Sequence, residues 1–506
     1  MDEKKIGVII SYLTLLVSSL LSILLTPVML KNLGDVEYGL YQTITSFIGV
    51  LTVLDFGSGV ATTRYVAKYN LQQDKEGCNN YLAMSMIINV IISVLIFLIG
   101  SGFVLSIDNI YSKSFSGDDV EKAKILAVLY IINISVNIFL NMFYGVAIGY
   151  KKFLFGNGTQ LIKIVVRFGL IYILLAVGMR AIAISIADIA VNIGTIIFVW
   201  GYIKIKLDVR LRLVKWDKVV FWETFSFSVA LFLQSIVNQV NNSIDKVILG
   251  SMIGGTAVTI YSVAMSIYLI YGSLSGAVKK VLLPDAVELV KNGVDGKKVT
   301  EFVIKGGRFQ FMVLIYILCG FFLVGREFIT LWVGEHYQIS YYIAIILMVP
   351  TLFQLSQNIT ETILDAMGKR MLRSVILFVG AMGNIFLTIL LIKLWGLIGA
   401  PIATAITCVL SWLIALNIYH HKVMKLQVIR MFIEICRGTF LCAVVSTLLC
   451  GMLNYIEMPN ALSLLVKGMT FTVIYIIMLW RKGFNKEEQQ MLRKVIPFLK
   501  LEGKNE

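Results

Sequence analysis

The 506-residue chain has few charged residues: only 15% are Asp, Glu, Lys or Arg, whereas 58% are hydrophobic. Soluble domains carry about 45–50% apolar residues, so a soluble fold cannot bury this much apolar side chain. Apolar runs of about 20 residues, enough to cross a hydrocarbon core of roughly 30 Å, recur along the whole chain. The composition therefore predicts an all-α integral membrane protein.

Several motifs that indicate metal binding, ATP hydrolysis or catalysis are also missing from the sequence. The six cysteines show no C-x-x-C spacing, which argues against a metal site or a disulfide framework. There is no G-x-x-x-x-G-K-[ST] sequence, so ATP hydrolysis on this chain is not expected. No D-x-D sequence is present, and the three histidines fall at predicted loops or helix ends. The sequence thus predicts no cofactor, no metal site and no enzyme activity.

Charged and turn residues divide the chain into 14 predicted spans. With a cytoplasmic N-terminus, 33 of the 45 lysines and arginines fall in inside segments, 7 in outside loops and five within spans. This asymmetry is what the positive-inside rule requires, so both termini are predicted to be cytoplasmic. The net charge of +15 then indicates attraction to anionic lipid rather than to nucleic acid. The predicted spans are 6–30, 38–61, 81–105, 125–149, 154–178, 181–203, 224–250, 257–278, 309–325, 341–367, 374–392, 398–419, 431–452 and 461–480.

A weak internal repeat groups these spans into two lobes. Residues 33–46 are similar to residues 253–266, which pairs spans 1–6 with spans 7–12. Two six-helix lobes around a central cavity, followed by two further helices, are therefore expected. The predicted organisation is an N-lobe at 1–203, a basic cytoplasmic loop at 204–223, a C-lobe at 224–419, spans 13 and 14 within 431–480, and a basic cytoplasmic tail at 481–506.

Polar side chains form stripes on the faces of three predicted spans. Such side chains are costly in lipid, so their placement is informative. Stripes three or four turns long indicate the walls of a wet cavity that binds a glycan, whereas hydrogen bonding between helices is the alternative for each single residue. The stripes comprise Asn133, Asn137, Asn141 and Tyr144 in span 4, Gln234, Asn238 and Asn241 in span 7, and Gln354 and Asn358 in span 10.

Span 5 carries two cations inside the membrane, Lys163 and Arg167, on the same face as Gln160. Each cation costs roughly 2.5–3.5 kcal/mol at a helix centre on insertion scales. A guanidinium offers phosphate a bidentate fork and an ammonium offers a point charge, so the three residues are predicted to bind a phosphate group. The alternative is an ion pair with one of the carboxylates at 188, 361 and 365. Candidates for ion coupling are Asp188, Asp245, Glu361 and Asp365.

Two stretches of sequence resemble a known family. Residues 33–41 (LGDVEYGLY), 54–59 (LDFGSG) and 64–69 (RYVAKY) resemble the first hairpin of bacterial polysaccharide and O-antigen repeat-unit flippases of the Wzx type. Residues 329–335 (ITLWVGE) resemble the segment after their ninth span. Within the second motif, Asp55 can pair with Arg64 or titrate.

The resemblance implies a member of the multidrug/oligosaccharidyl-lipid/polysaccharide exporter superfamily that works by alternating access. The implied substrate is an undecaprenyl-diphosphate-linked oligosaccharide, moved from the cytoplasmic to the outer leaflet of the bacterial cytoplasmic (inner) membrane. Membrane lipids, a polysaccharide polymerase and chain-length proteins are the implied partners.

Two other functions stay open. One is a cation-coupled multidrug exporter of the same superfamily, and the other is a membrane glycosyltransferase or polymerase. The second is disfavoured because the sequence shows no catalytic constellation.

Overall fold

The computed structural model describes residues 3–495 except 292, 294 and 457, and within them the regular structure is helical, with no β-strand. The first helices are α1 Glu3–Gly49, α2 Ser58–Leu71, α3 Lys75–Tyr111, α4 Gly117–Gly149, α5 Phe153–Ala176, α6 Arg180–Lys206, α7 Lys218–Met252 and α8 Gly255–Lys291. They are followed by α9 Gly296–Trp332, α10 Ile339–Ser356, α11 Ile359–Ala366, α12 Arg370–Trp395, α13 Gly399–Cys408 and α14 Leu416–Met424. The last helices are α15 Val428–Cys436, α16 Thr439–Gly451, α17 Asn460–Met478 and α18 Lys486–Val495.

The predicted integral membrane fold is confirmed, whereas the count of 14 spans is not. Within the described residues, 11 helical runs are long and apolar enough to cross a membrane, or 12 if the bent pair Val428–Cys436 and Thr439–Tyr455 forms one span. Two of these runs, Ile10–Leu71 with 62 residues and Arg370–Met424 with 55, far exceed the roughly 20 residues that one crossing needs. Each of the two runs covers all or most of two predicted spans.

The first long run, Ile10–Leu71, is interrupted at two places. In α1, Gly34 has φ 75° and ψ 175°, a conformation outside the helical region that glycine adopts without steric penalty. After α1 the chain forms a 3₁₀ helix at Val50–Asp55, and Phe56 and Gly57 then have φ of 50° and 68°. Predicted span 38–61 therefore contains a break that its hydrophobicity did not indicate.

The chain forms two compact units, each described here by itself. The first comprises Met1–Ser266 and Leu377–Ala403, and the second comprises Ile267–Ile376 and Thr404–Glu506. The predicted lobe boundaries stay a prediction. Residues 1–2 and 496–506, the latter in the predicted basic tail, lie outside the described residues.

In the first unit, α4 packs closely against α2 through small residues. A Cβ at Gly145 would lie 2.4 Å from the carbonyl oxygen of Gly59, and one at Gly149 would lie 2.7 Å from Cβ of Val66. Gly145 and Gly149 thus form a small-xxx-small contact of the kind that lets membrane helices approach closely. A Cβ at Gly59 would in turn lie 2.7 Å from the carbonyl oxygen of Asn141. This contact fixes the polar face of α4 beside the start of α2.

In the second unit, Arg308 of α9 joins several chain segments through buried hydrogen bonds. Its guanidinium forms a bidentate ion pair with Glu488 of α18, at 2.7 and 3.1 Å. The same group donates to the carbonyl oxygens of Glu434, Arg437 and Gly483 at 2.7, 3.0 and 2.9 Å. Both side chains of the pair are almost fully buried, with 7% and 6% exposure.

Arg308→Ala is expected to destabilise the protein strongly, because it leaves a buried carboxylate without its partner. Loss of one partner of a buried ion pair costs about 3–5 kcal/mol. Thermal unfolding of the purified protein, followed by fluorescence-detected size exclusion, measures the change. Arg430→Ala is the control, since Arg430 and Glu301 form an exposed pair at 3.9 Å. Equal unfolding temperatures for the two variants would contradict this account of the network.

Candidate functional site

A cavity of about 400 Å³ lies within the first unit, between α4, α5 and α6. All eight predicted site residues of spans 4, 5 and 6 line it. Ile164, Val191 and Asn192 complete the lining. The predicted residues are Asn133, Asn137, Asn141, Tyr144, Gln160, Lys163, Arg167 and Asp188.

Arg167 forms an ion pair with Asp188 across this cavity. Arg167 Nε lies 2.5 Å from Asp188 Oδ1, and Nη2 lies 3.1 Å from Oδ2. The arrangement is the bidentate fork that guanidinium and carboxylate favour. Of the three carboxylates that the sequence offered as partners, the structure thus pairs Asp188 with Arg167. The charge of Arg167 is locally compensated by Asp188, and both residues line the cavity.

Lys163 lies one helical turn before Arg167 and lines the same cavity. Among the described residues it forms no salt bridge. Two cations and one carboxylate therefore line the cavity, which carries a net positive charge. The Lys163 ammonium interacts electrostatically with Asp188 but forms no salt bridge with it, so it is available to a ligand without the loss of an existing ion pair.

Three further polar residues border the charged pair. Tyr41 of α1 and Tyr130 of α4 lie close enough to interact electrostatically with both Asp188 and Arg167. Asn192 donates to Asn133 Oδ1 at 2.7 Å. Asn192 lies four residues after Asp188, so helical periodicity predicts that the two residues share one face of α6. No comparable signal in the sequence connects Tyr41 to Asp188.

The polar stripe of α7 does not line this cavity. Gln234 donates to Asn238 within the same helix at 3.2 Å, Asn238 is exposed, and Asn241 is half-buried. Their role in binding a glycan stays a prediction.

Asp245, also on α7, is held by two hydroxyl groups and is only 3% exposed. Tyr261 of α8 donates to its Oδ2 at 2.6 Å, and Thr388 of α12 donates to its Oδ1 at 3.1 Å. The sequence indicates Asp245 as a candidate for ion coupling, but it does not indicate the partners of this carboxylate, because Thr388 lies 143 residues away along the chain.

The predicted residues of span 10 lie in the second unit, and neighbouring side chains or backbone groups of that unit bind them. Gln354 accepts from Cys408 at 3.2 Å. Asn358 donates to Ser275 Oγ at 2.6 Å and accepts from Gln310 at 3.1 Å. These contacts are those expected of polar residues that join helices.

Glu361 and Asp365, predicted within span 10, lie on α11, and both contact Arg373. Arg373 Nη1 lies 3.6 Å from Glu361 and 3.4 Å from Asp365. The Arg373 side chain is only 3% exposed, although the predicted map placed this residue in a loop. The proposed coupling role of Glu361 and Asp365 stays untested.

Comparison with known proteins identifies relatives of both sequence and fold. Residues 5–290 match the model of a family described as polysaccharide biosynthesis protein. The capsular polysaccharide biosynthesis protein CapF of Staphylococcus aureus is 27% identical over 223 residues, which cover 44% of this chain and 53% of CapF.

Two solved structures share the fold. The lipid II flippase MurJ, in an inward closed conformation, is similar over 93% of this chain and 98% of its own, with a TM-score of 0.71 and 18% identity. An inward-facing multidrug resistance transporter of the MATE family, from the MOP superfamily, is similar over 83% of this chain and 99% of its own, with a TM-score of 0.65 and 16% identity. The transporter fold predicted from the sequence is confirmed by these matches.

Proposed function

We propose that this chain, which belongs to the polysaccharide biosynthesis protein family, moves an undecaprenyl-diphosphate-linked oligosaccharide from the cytoplasmic to the outer leaflet by alternating access. It is a polysaccharide flippase-type membrane transporter of the exporter superfamily to which the resemblance pointed. MurJ, which shares its fold, is named as a flippase of lipid II. A lipid-linked oligosaccharide is accordingly the substrate class that we infer.

The observation that carries this proposal is the cavity between α4, α5 and α6. Its volume of about 400 Å³ lies within the range of roughly 300–1,000 Å³ that is usual for small-molecule sites. Amide side chains such as Asn133 and Asn137 suit sugar hydroxyls, because each amide both donates and accepts hydrogen bonds. Lys163 supplies positive charge for a diphosphate. An amphiphile with a diphosphate and a polar glycan matches both features.

Cells that lack this chain are expected to lose the surface glycan and to accumulate its lipid-linked precursor. The reason is that synthesis of the precursor continues while its passage to the outer leaflet stops. Mass spectrometry of extracted lipids, with surface glycan measured on the same cells, tests this. Loss of the glycan without accumulation of a lipid-linked precursor would indicate a biosynthetic enzyme and contradict the proposal.

The multidrug exporter is the second candidate, because the MATE transporter shares the same fold. In that case Asp188 and Asp245 would be the groups that bind a coupling cation. The net positive charge around Lys163 disfavours lipophilic cations as substrates, since like charges repel in a cavity of low dielectric. Efflux of such cations by the wild type, lost in Asp188→Asn or Asp245→Asn, would favour this candidate.

A Cys introduced at Leu211 is expected to resist an impermeant thiol reagent applied to intact cells. Leu211 lies in the basic segment between α6 and α7, which the distribution of Lys and Arg places in the cytoplasm. Permeabilised cells provide the positive control, because the same Cys should then react. Reaction in intact cells would overturn the proposed topology, including cytoplasmic termini.

A further inference from the structure

The segment between α6 and α7, residues 207–217, forms neither helix nor strand and is called the strap below. It connects the ends of two helices that are each long and apolar enough to cross a membrane. Irregular backbone does not occur in contact with the hydrocarbon of lipid, so the strap is expected at the membrane surface. The distribution of Lys and Arg predicts that this surface is the cytoplasmic one.

Side chains of the strap alternate between a buried and an exposed side. Val209 is 1% exposed and belongs to a buried hydrophobic cluster with Val199 and Ile203 of α6. Leu207 and Leu211, two residues to either side, pack against the same cluster. A period of two is typical of a chain segment with one buried side. The alternate residues are exposed, and they are Asp208, Arg210 and Arg212.

Two neighbouring asparagines near the start of α3 hold the backbone of the strap. Asn80 Oδ1 accepts from the N–H groups of Val214 and Lys215 at 2.8 and 3.0 Å. Asn80 Nδ2 donates to the carbonyl oxygen of Lys215 at 2.8 Å. Asn79 Oδ1 accepts from the N–H of Arg210 at 3.0 Å. The strap therefore follows a defined course along α3, although it has no regular secondary structure.

The exposed side of the strap combines apolar side chains with cations. Val214 is 69% exposed and Trp216 is 39% exposed. Arg212, Lys215 and Lys218, the last at the first position of α7, are also exposed. Among the described residues these three cations form no salt bridge. Apolar side chains beside cations are typical of segments that lie in the membrane interface.

Acidic residues compensate only part of this positive charge. Asp208 pairs with Lys75 of α3 at 2.7 Å and lies 3.5 Å from Arg210 Nε. Asp217 accepts from two backbone N–H groups in the first turn of α7, at 2.9 and 3.2 Å. Both carboxylates thus have partners within the protein. The cations at 212, 215 and 218 remain for a ligand outside it.

We propose that the strap binds the headgroups of anionic phospholipids in the cytoplasmic leaflet. Val214 and Trp216 enter the boundary between headgroups and acyl chains, and the neighbouring cations contact the headgroup phosphates. Six lysines and arginines fall between residues 204 and 218. Clusters of about 4–8 cations directly beside a membrane helix are typical of binding to anionic lipid.

This surface is separate from the cavity between α4, α5 and α6, because none of the strap residues lines that cavity. The phospholipid is therefore a resident of the leaflet and not the transported molecule. Binding at the strap does not depend on the proposed function.

The test is thermal unfolding of the purified full chain in neutral detergent micelles that contain phosphatidylglycerol or phosphatidylcholine. A ligand that binds only the folded protein raises its stability. Phosphatidylglycerol is expected to raise the unfolding temperature of the wild type in a saturable manner, and by more than phosphatidylcholine does. The double variant Arg212→Gln, Lys215→Gln should raise the phosphatidylglycerol content at half-saturation about tenfold, because each cation near an anionic surface adds to binding.

Two properties of these variants separate lipid binding from folding. The double variant changes only exposed side chains, so without lipid it should unfold at the wild-type temperature. Asn80→Ala keeps every charge but removes the three hydrogen bonds that hold Val214 and Lys215, so it should also weaken the response to phosphatidylglycerol. If Asn80→Ala does not fold, the double variant decides.

Lys297→Gln, Lys298→Gln is the matched control. It removes two exposed cations at the start of α9, where Asp295 and Glu301 lie close by in the sequence, and it should respond to phosphatidylglycerol like the wild type. Soluble glycerol phosphate, which lacks acyl chains, should cause no saturable shift. Equal shifts with the two lipids, equal half-saturation in the wild type and the Arg212, Lys215 variant, an equal loss in the control, or an equal shift with glycerol phosphate would overturn the proposal. Failure of glycolipid transport alone would leave it standing.

Discussion

Lys163→Glu is expected to abolish delivery of the glycan to the cell surface, whereas Lys163→Arg retains most of it. The first change turns the cavity between α4, α5 and α6 from net positive to net negative. Opposite unit charges about 4 Å apart gain roughly 4 kcal/mol at an effective dielectric of about 20, and like charges lose as much. Surface glycan per membrane-inserted protein, measured in cells without the native copy, gives the result.

Lys113→Glu is the matched control for this experiment. It makes the same change of charge at an exposed position between α3 and α4, so export should equal that of the wild type. Unchanged export by Lys163→Glu at normal abundance would remove Lys163 from the phosphate site.

Arg167→Glu is also expected to abolish export, for two reasons that must be separated. It removes a cation from the cavity, and it places a second carboxylate beside Asp188, which lowers stability and therefore abundance. Arg167→Ala should lower export, and Arg167→Lys should retain part of it, because charge survives without the bidentate fork. Each value is normalised to membrane-inserted protein.

The double variant Arg167→Gln, Asp188→Asn separates the two reasons. It removes both charges together, so no buried charge is left without a partner and abundance should approach that of the wild type. If the Arg167 guanidinium exchanges Asp188 for the phosphate of the substrate, export by the double variant stays well below that of the wild type. Full export at normal abundance would mean that the pair only joins α5 to α6.

Helical periodicity was sufficient to identify the lining of the larger cavity. Asn133, Asn137 and Asn141 recur every four residues, and Lys163 and Arg167 do the same on α5. Polar faces on the neighbouring helices α4 and α5 turn toward the same interior when those helices pack together. This inference is strong for helices that cross a membrane, because a polar face in contact with lipid is unfavourable.

Pairings between distant residues could not be predicted in the same way. The sequence left three carboxylates as possible ion-pair partners of Arg167. Only the packing of α5 against α6 shows that Asp188 is the partner. The same limit applies to Thr388, which reaches Asp245 from 143 residues away. Periodicity orients a side chain on its own helix but does not say which helix it faces.

The boundaries of the spans were the weakest part of the prediction. Charged residues predict the ends of spans, yet Arg308 and Arg373 lie buried within α9 and α12 because each binds buried or half-buried carboxylates. The unwound segment after α1 was also missed, since its residues are as apolar as those of a regular span. Hydrophobicity reports burial in the membrane, not backbone conformation.

Transbilayer movement of a fluorescent undecaprenyl-diphosphate-linked oligosaccharide in proteoliposomes tests the central claim most directly. Protection of the label from an external quencher is followed for the wild type, Lys163→Glu and Lys113→Glu at equal protein content. The wild type and Lys113→Glu are predicted to move the lipid, and Lys163→Glu is predicted not to move it while unfolding at the same temperature. No movement by the wild type, or equal movement by all three proteins, would contradict the account.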